Sequence, residues 1–208
     1  MTTTAVRDAT VQRGIRLGYA TILYNSFEAI GSLVAGILAG SVALVGFGAD
    51  SVIEVIAAGA AQWRLRSEAK LERRAMVELA SHRIVGLSFL ALAVYITVDS
   101  ASALWHKDPP EKSFFGIFVL SLSIVVMPLL ASAKTRVARG IGSNALRAEA
   151  RQTSLCAWLS LIALVGVALN ALLGWWWADP LAALGMVPII VKEGIEGVRA
   201  SPDAVDCC

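Results

Sequence analysis

The stretch Leu17–Trp63, LGYATILYNSFEAIGSLVAGILAGSVALVGFGADSVIEVIAAGAAQW, decides the fold. Its 47 residues carry three charges, Glu28, Asp50 and Glu54. A helix needs about 20 mainly apolar residues to cross the hydrocarbon core of a bilayer. The stretch is too long for one crossing and right for two, with the break at Gly40-Ser41. Outward from it, four more apolar runs follow: about Ile84 to Trp105, Phe114 to Ala133, Ala148 to Leu173, and Pro180 to Val198. The expected fold is therefore all-α, a polytopic membrane protein with six transmembrane helices over 1–200 and a short tail over 201–208.

Composition excludes the alternatives. Of 208 residues, 57% are hydrophobic and 16% charged, against roughly 45–50% and about 25% in soluble proteins. The mean hydropathy of +0.68 belongs to a chain whose solvent is largely lipid. No basic stripe with interleaved aromatics suggests nucleic-acid binding. Three cysteines, two of them adjacent at Cys207-Cys208, make no disulfide framework. The bases Arg7, Arg13 and Arg16 ahead of an apolar run resemble a signal peptide, but the run is too long and carries no small-residue cleavage site, so a retained helix is expected.

Basic residues set the orientation. Of 18 Lys and Arg, all but Lys107 and Lys112 fall in the N-terminal tail, the 2–3 and 4–5 connections and the C-terminal end, with Lys134 counted in the 4–5 connection. The positive-inside rule then puts both termini in the cytoplasm, as an even number of spans requires. Trp105 and Trp175-Trp176-Trp177 fall at the outer ends, where amphipathic rings favour the headgroup layer. A multi-pass protein of the cytoplasmic membrane is expected.

Ionisable groups inside a bilayer are costly and usually face a bundle interior or a wet path. Asp50 and Glu54, at i and i+4, share one face of helix 2, about 6 Å apart along the axis. Two such carboxylates in low dielectric resist ionising together, so the pair keeps a proton unless a cation replaces it. A divalent metal competing with protons is the simplest use; a polar patch holding helices together is the alternative. Gln152 and Cys156 form a second i, i+4 pair in helix 5. Asn25 and Glu28 in helix 1 either widen an ion path or hydrogen-bond to helix 2. Asp99 serves an outer vestibule or a helix contact. Gly36-x-x-x-Gly40 reads as close helix packing, and Pro128 as a kink in helix 4.

These residues resemble the cation diffusion facilitators, six-helix metal–proton antiporters that carry Asp-x-x-x-Asp in helix 2 and His-x-x-x-Asp in helix 5. Here Asp50-Ser51-Val52-Ile53-Glu54 sits on the first motif, with Glu for the second Asp. Gln152-Thr153-Ser154-Leu155-Cys156 sits on the second, with Gln for His and Cys for Asp. Asn25 and Glu28 with Gly36 and Ser41-Val42-Ala43-Leu44 resemble the family's first hairpin, and Asp179-Pro180 its Asp-Pro opening helix 6. The resemblance implies a four-ligand metal site of Asp50, Glu54, Gln152 and Cys156. It implies export of a divalent or soft heavy-metal cation, Zn²⁺-like or Cd²⁺-like, in exchange for protons, and no prosthetic group.

The helix 5 departures shift that expectation. Gln152 cannot titrate, whereas a thiolate favours softer ions. The alternative is a non-transporting membrane partner or metal sensor that pairs with an active transporter. Relatives continue into a cytoplasmic domain that helps them dimerise; this chain is expected to dimerise through its membrane helices. Asp206, Cys207 and Cys208 either collect a soft metal at the inner mouth, form a disordered end or carry lipid. An enzyme is not expected, because no nucleophile–base set appears and His82 and His106 lie at opposite membrane faces.

Overall fold

The computed structural model describes residues 3–66, 71–141 and 144–199. Six helices follow in order: α1 Thr3–Ala39, α2 Val42–Arg66, α3 Leu71–His106, α4 Phe114–Ile141, α5 Asn144–Leu173 and α6 Ala178–Val198. No strand occurs among the described residues. In lipid each helix satisfies its own backbone, which water cannot do there.

The break inside the opening stretch lies where the sequence puts it. Gly40 has φ +64°, a conformation that costs a side chain strain but suits glycine. The Ser41 N–H donates to Gly36 O at 2.9 Å and the Gly40 N–H to Ile37 O at 3.4 Å, the paired bonds of a Schellman cap. Ser41 then opens α2, its Oγ accepting from the Leu44 N–H at 3.2 Å. The two glycines of the Gly36-x-x-x-Gly40 pattern thus divide their work. A Cβ at Gly36 would meet Val45 N at 2.7 Å, so close packing requires glycine there, whereas a Cβ at Gly40 meets nothing.

The carboxylate of Asp179, at the start of α6, finishes the cap of α2. It accepts from Ser41 Oγ at 2.6 Å and from the Ala43 N–H at 3.4 Å. A buried anion at the positive end of a helix dipole is favourable. Asp179→Ala is expected to cost about 2 kcal/mol, the worth of hydrogen bonds to a charged group, with Asp179→Asn intermediate. Thermal unfolding in detergent measures this; an unchanged midpoint for Asp179→Ala would show the carboxylate to be idle.

The helices pack as antiparallel pairs. α1 lies on α2, α4 on α5 and α3 on α6, and α2 also touches α3, α5 and α6. The α3–α6 pair approaches backbone to backbone, since a Cβ on Gly86 would stand 2.6 Å from Val198 N and one on Gly197 2.9 Å from Gly86 Cα. Small residues allow such approach in lipid, where van der Waals packing drives association. At one end, the Glu111 N–H donates to Ala39 O at 2.7 Å and Asn170 Nδ2 to Pro110 O at 2.9 Å. These bonds staple the α3–α4 connection to α1 and α5.

Burial shows which surface meets lipid. On α1, Thr21, Asn25, Glu28 and Ser32 are all fully buried, while Leu23, Ile30 and Ile37 on the opposite face are each at least two-thirds exposed. On α1 a polar inner stripe and an apolar outer face invert the order of a helix in a water-soluble bundle. Five helices are long and apolar enough to cross a membrane. The sixth expected span falls on α6, where Asp179 at one end and Lys192, Glu193 and Glu196 near the other add charge. Trp105 is 84% exposed, and Trp175 stacks on Trp177 with centroids 5.3 Å apart.

Three expectations change. α4 does not end near Ala133; it runs unbroken through Pro128 to Ile141. Lys134 is therefore no loop residue but a fully buried one. Asp99 accepts from the Tyr95 hydroxyl one turn earlier on its own helix, at 3.1 Å, which makes it an intrahelical partner. Helices α1 and α3 also begin well before their apolar runs, at Thr3 and Leu71, because segments rich in Ala, Leu, Arg and Glu favour helix without apolar support.

Candidate metal site between helices 1, 2 and 5

Asp50 and Glu54 point inward from α2 on one face with Phe47, Ser51 and Ala58, all buried. Opposite them α5 presents Glu149, Thr153, Cys156 and Ser160, also buried and spaced three or four residues apart. Glu28 enters from α1. The Ser51 hydroxyl donates to Glu28 Oε2 at 2.9 Å, and the Cys156 sulfur stands 3.9 Å from the same oxygen. The Cys156 thiol also lies against the Asp50 carboxylate. Tyr24 and Ser123 hydroxyls stand beside Glu28, and Ser123 Oγ bonds Ser160 Oγ at 2.8 Å.

The other end of the site is held differently. The Thr153 hydroxyl donates to Glu54 Oε1 at 2.7 Å and accepts from Lys134 Nζ at 2.9 Å. Lys134 also pairs with Glu149 Oε1 at 2.9 Å. A buried ammonium therefore connects to the Glu54 carboxylate through one hydroxyl. Burying a charge is costly unless it is paired and hydrogen-bonded, and this one is both.

Several polar atoms remain unsatisfied. Glu28 Oε1, Glu54 Oε2, both amide atoms of Asn25 and Gln152 Nε2 are buried without a hydrogen-bond partner. Orphaned polar atoms inside a protein are uncommon and call for a water, an ion or a strained function. Yet among the described residues no three His, Cys, Asp or Glu side chains are drawn tightly enough to hold a metal as they stand. The groups share a neighbourhood rather than a cage.

Of the residues singled out in the sequence, Asp50, Glu54, Cys156 and Glu28 are brought together. Glu28 satisfies one of its two readings, a bond to helix 2, and at the same time faces Cys156. Asn25 is buried one turn before it. Gln152 is half-buried, and the hydrogen bond from α5 to Glu54 comes from its neighbour Thr153 instead. Asp206, Cys207 and Cys208 lie outside the described residues. Sequence reasoning missed Lys134, Thr153 and Ser51. The usable signal was helix 4 itself: Thr135, Val137 and Ala138 continue a helical pattern past Lys134, with Val137 and Ala138 buried.

Residues 19–202 match the family model described as the cation efflux transmembrane domain. The chain belongs to the cation efflux family. Its curated relatives include an uncharacterized transporter of Synechocystis, 28% identical over 155 residues, covering 72% of this chain and 50% of the relative. The magnetosome protein MamB of Magnetospira is 28% identical over 169 residues, covering 78% and 57%. MamB of Paramagnetospirillum magneticum is 28% identical over 174 residues, covering 81% and 58%. The chain thus spans between half and three-fifths of the length of these relatives. Within the cation efflux family the resemblance to the cation diffusion facilitators stands, as does a multi-pass membrane protein, which in a bacterium means the cell membrane. The matched region contains Asn25, Glu28, Asp50, Glu54, Gln152 and Cys156.

Proposed function

We propose that this chain is a secondary transporter exporting a divalent or soft heavy-metal cation from the cytoplasm in exchange for protons. The observation that supports it most is the convergence of Glu28, Asp50, Glu54 and Cys156 from three helices inside a bundle whose outer surface is apolar. The cation is the cargo. Asp50 and Glu54 supply hard oxygen ligands and Cys156 a sulfur. Ser51 and Thr153 surrender their hydrogen bonds to Glu28 and Glu54 as metal–oxygen bonds form.

A sulfur ligand binds as thiolate, so loading the metal releases the Cys156 proton. That release couples the two ions without a histidine. Gln152 contributes a weak oxygen ligand if its amide turns toward the metal. Access alternates by rocking of helix pairs around the site, with the two chain ends on the cytoplasmic side and two copies meeting through membrane helices. No chemical conversion of a substrate is needed.

The test is metal uptake into proteoliposomes holding the purified chain alone, across Zn²⁺, Cd²⁺, Co²⁺, Fe²⁺, Mn²⁺ and Cu⁺. Cys156→Ser exchanges sulfur for oxygen at nearly constant shape. It is expected to weaken Cd²⁺, Zn²⁺ and Cu⁺ uptake by about tenfold or more while sparing Mn²⁺, following ligand softness. Equal loss for every ion would remove the sulfur from the coordination sphere. The second reading, a non-transporting partner or sensor, is favoured by Gln152 and Cys156 standing where the resembled motif has His and Asp. Absence of uptake for all six ions, in protein that still binds one of them, selects it.

A further inference from the structure

On the outer side of the α4–α5 pair lies an open cavity of about 610 Å³. Its charged wall is Arg139 from α4 with Arg147 and Arg151 from α5, and its polar wall is Ser132, Thr135 and Ser154. Arg147, Arg151 and Ser154 follow one another at four- and three-residue spacing, so one stripe of α5 faces the cavity. Thr135 and Arg139, four apart on α4, face it from the other side. No carboxylate lines it. The nearby acid on α5, Glu149, is turned inward and held by Lys134.

Three exposed guanidinium groups around one space concentrate positive charge that a bound anion offsets. Among the described residues none of the three forms an ion pair with a carboxylate; Arg151 feels Glu193 of α6 only through its field, and Glu193 does not line the cavity. Guanidinium groups bind phosphate oxygens in a bidentate fork, and hydroxyls beside them add donors. Arg139 stands in the last turn of α4, and Arg147 near the start of α5, Asn144–Leu173. The arginines are thus at one end of the bundle, at headgroup depth for a chain this apolar. From there the cavity runs inward to Pro128, eleven residues and about 16 Å along the helix from Arg139. Beside Pro128, Val125 and Leu129 are 60% and 64% exposed on the lipid-facing surface.

We propose that this cavity binds the phosphodiester headgroup of an anionic phospholipid, with an acyl chain running along α4 past Leu129. Basic recesses between membrane helices are suited to such headgroups. An apolar continuation of the recess gives a lipid an anchorage that free phosphate lacks. The site is separate from the metal-site carboxylates and requires no transport activity.

Thermal unfolding of the full chain in a neutral detergent tests it, with phosphatidylglycerol, phosphatidylcholine or inorganic phosphate added. Phosphatidylglycerol in roughly hundredfold excess over its Kd is expected to raise the midpoint by about 5 °C or more, and phosphatidylcholine by less than half as much. Arg147→Gln/Arg151→Gln is expected to lose at least half of the difference between the two lipids. Arg16→Gln/Arg136→Gln removes the same charge from exposed positions outside the cavity and is expected to keep that difference. If the first double variant does not fold, Arg139→Gln is read in the same way, with at least a third of the difference lost. Three results would overturn the proposal: no preference for phosphatidylglycerol in the native chain, equal loss in both double variants, or a full shift from millimolar inorganic phosphate.

Discussion

Asp50→Asn is expected to lower metal uptake into proteoliposomes to the level of protein-free vesicles. The substitution keeps the shape of the side chain and removes its charge. Asp50 is 4% exposed and faces the Cys156 thiol, so nothing from solvent can replace the lost anion. Groups that merely orient metal ligands typically contribute 10–100-fold to affinity or activity. Loss of an anionic ligand itself is therefore expected to reduce uptake by at least about 100-fold for every ion. Because Asn keeps the shape of the side chain and an acceptor for the Cys156 thiol, thermal stability is expected to stay level or rise. Low uptake with an unchanged or higher midpoint is the expected pair of results. Uptake within threefold of the native chain would exclude Asp50 as a ligand.

Lys134→Gln is expected to produce the largest loss of stability. It leaves Glu149 and Glu54 buried without the ammonium that compensates one directly and the other through Thr153. Removing one partner of a buried ion pair costs about 3–5 kcal/mol, whereas removing both is often near neutral. For a chain of this size that cost corresponds to a fall of roughly 6–20 °C in the unfolding midpoint. Lys134→Gln/Glu149→Gln is expected to recover more than half of the fall. Additive losses in the double variant would show that the two charges do not depend on each other. Thr153→Val, which cuts the bridge without altering charge, removes a bond that the unloaded site makes and the loaded site gives up, so it is expected to lower the unfolding midpoint of the metal-free chain more than it weakens metal binding.

The contrast between these two residues shows how far the sequence could be read. Asp50 stands out because a charge in the middle of an apolar run must have a reason to be there. Its i, i+4 relation to Glu54 follows from helix geometry alone. Lys134 sits at the edge of an apolar run, where a base ordinarily marks the membrane boundary, and only the partners across the helix pair show it to be internal. Glu28 was recognisable as buried, but its meeting with Cys156 joins positions 128 apart in the chain. Periodicity tells which face of a helix is inward and says nothing about which helix it will face. The turn at Gly40-Ser41 was legible because a positive φ has a residue preference; the reach of Asp179 to the same turn was not, since a long-range cap leaves no local pattern.

That reach from Asp179 has a mechanical consequence. It pins the start of α2 to the start of α6, while Gln62 Nε2 donates to Ile15 O at 2.6 Å near the other end of α2 and so ties α2 to α1. The α1–α2 hairpin is then a stiff arm whose pivot lies at Ser41. Along a helix Asp50 is about 14 Å and Glu54 about 20 Å from that pivot. A swing of about 10° carries the first by about 2 Å and the second by about 3 Å on that lever arm, each on the scale of a metal–ligand bond. The 3.9 Å between the Cys156 sulfur and Glu28 Oε2 lies within the reach of such a swing.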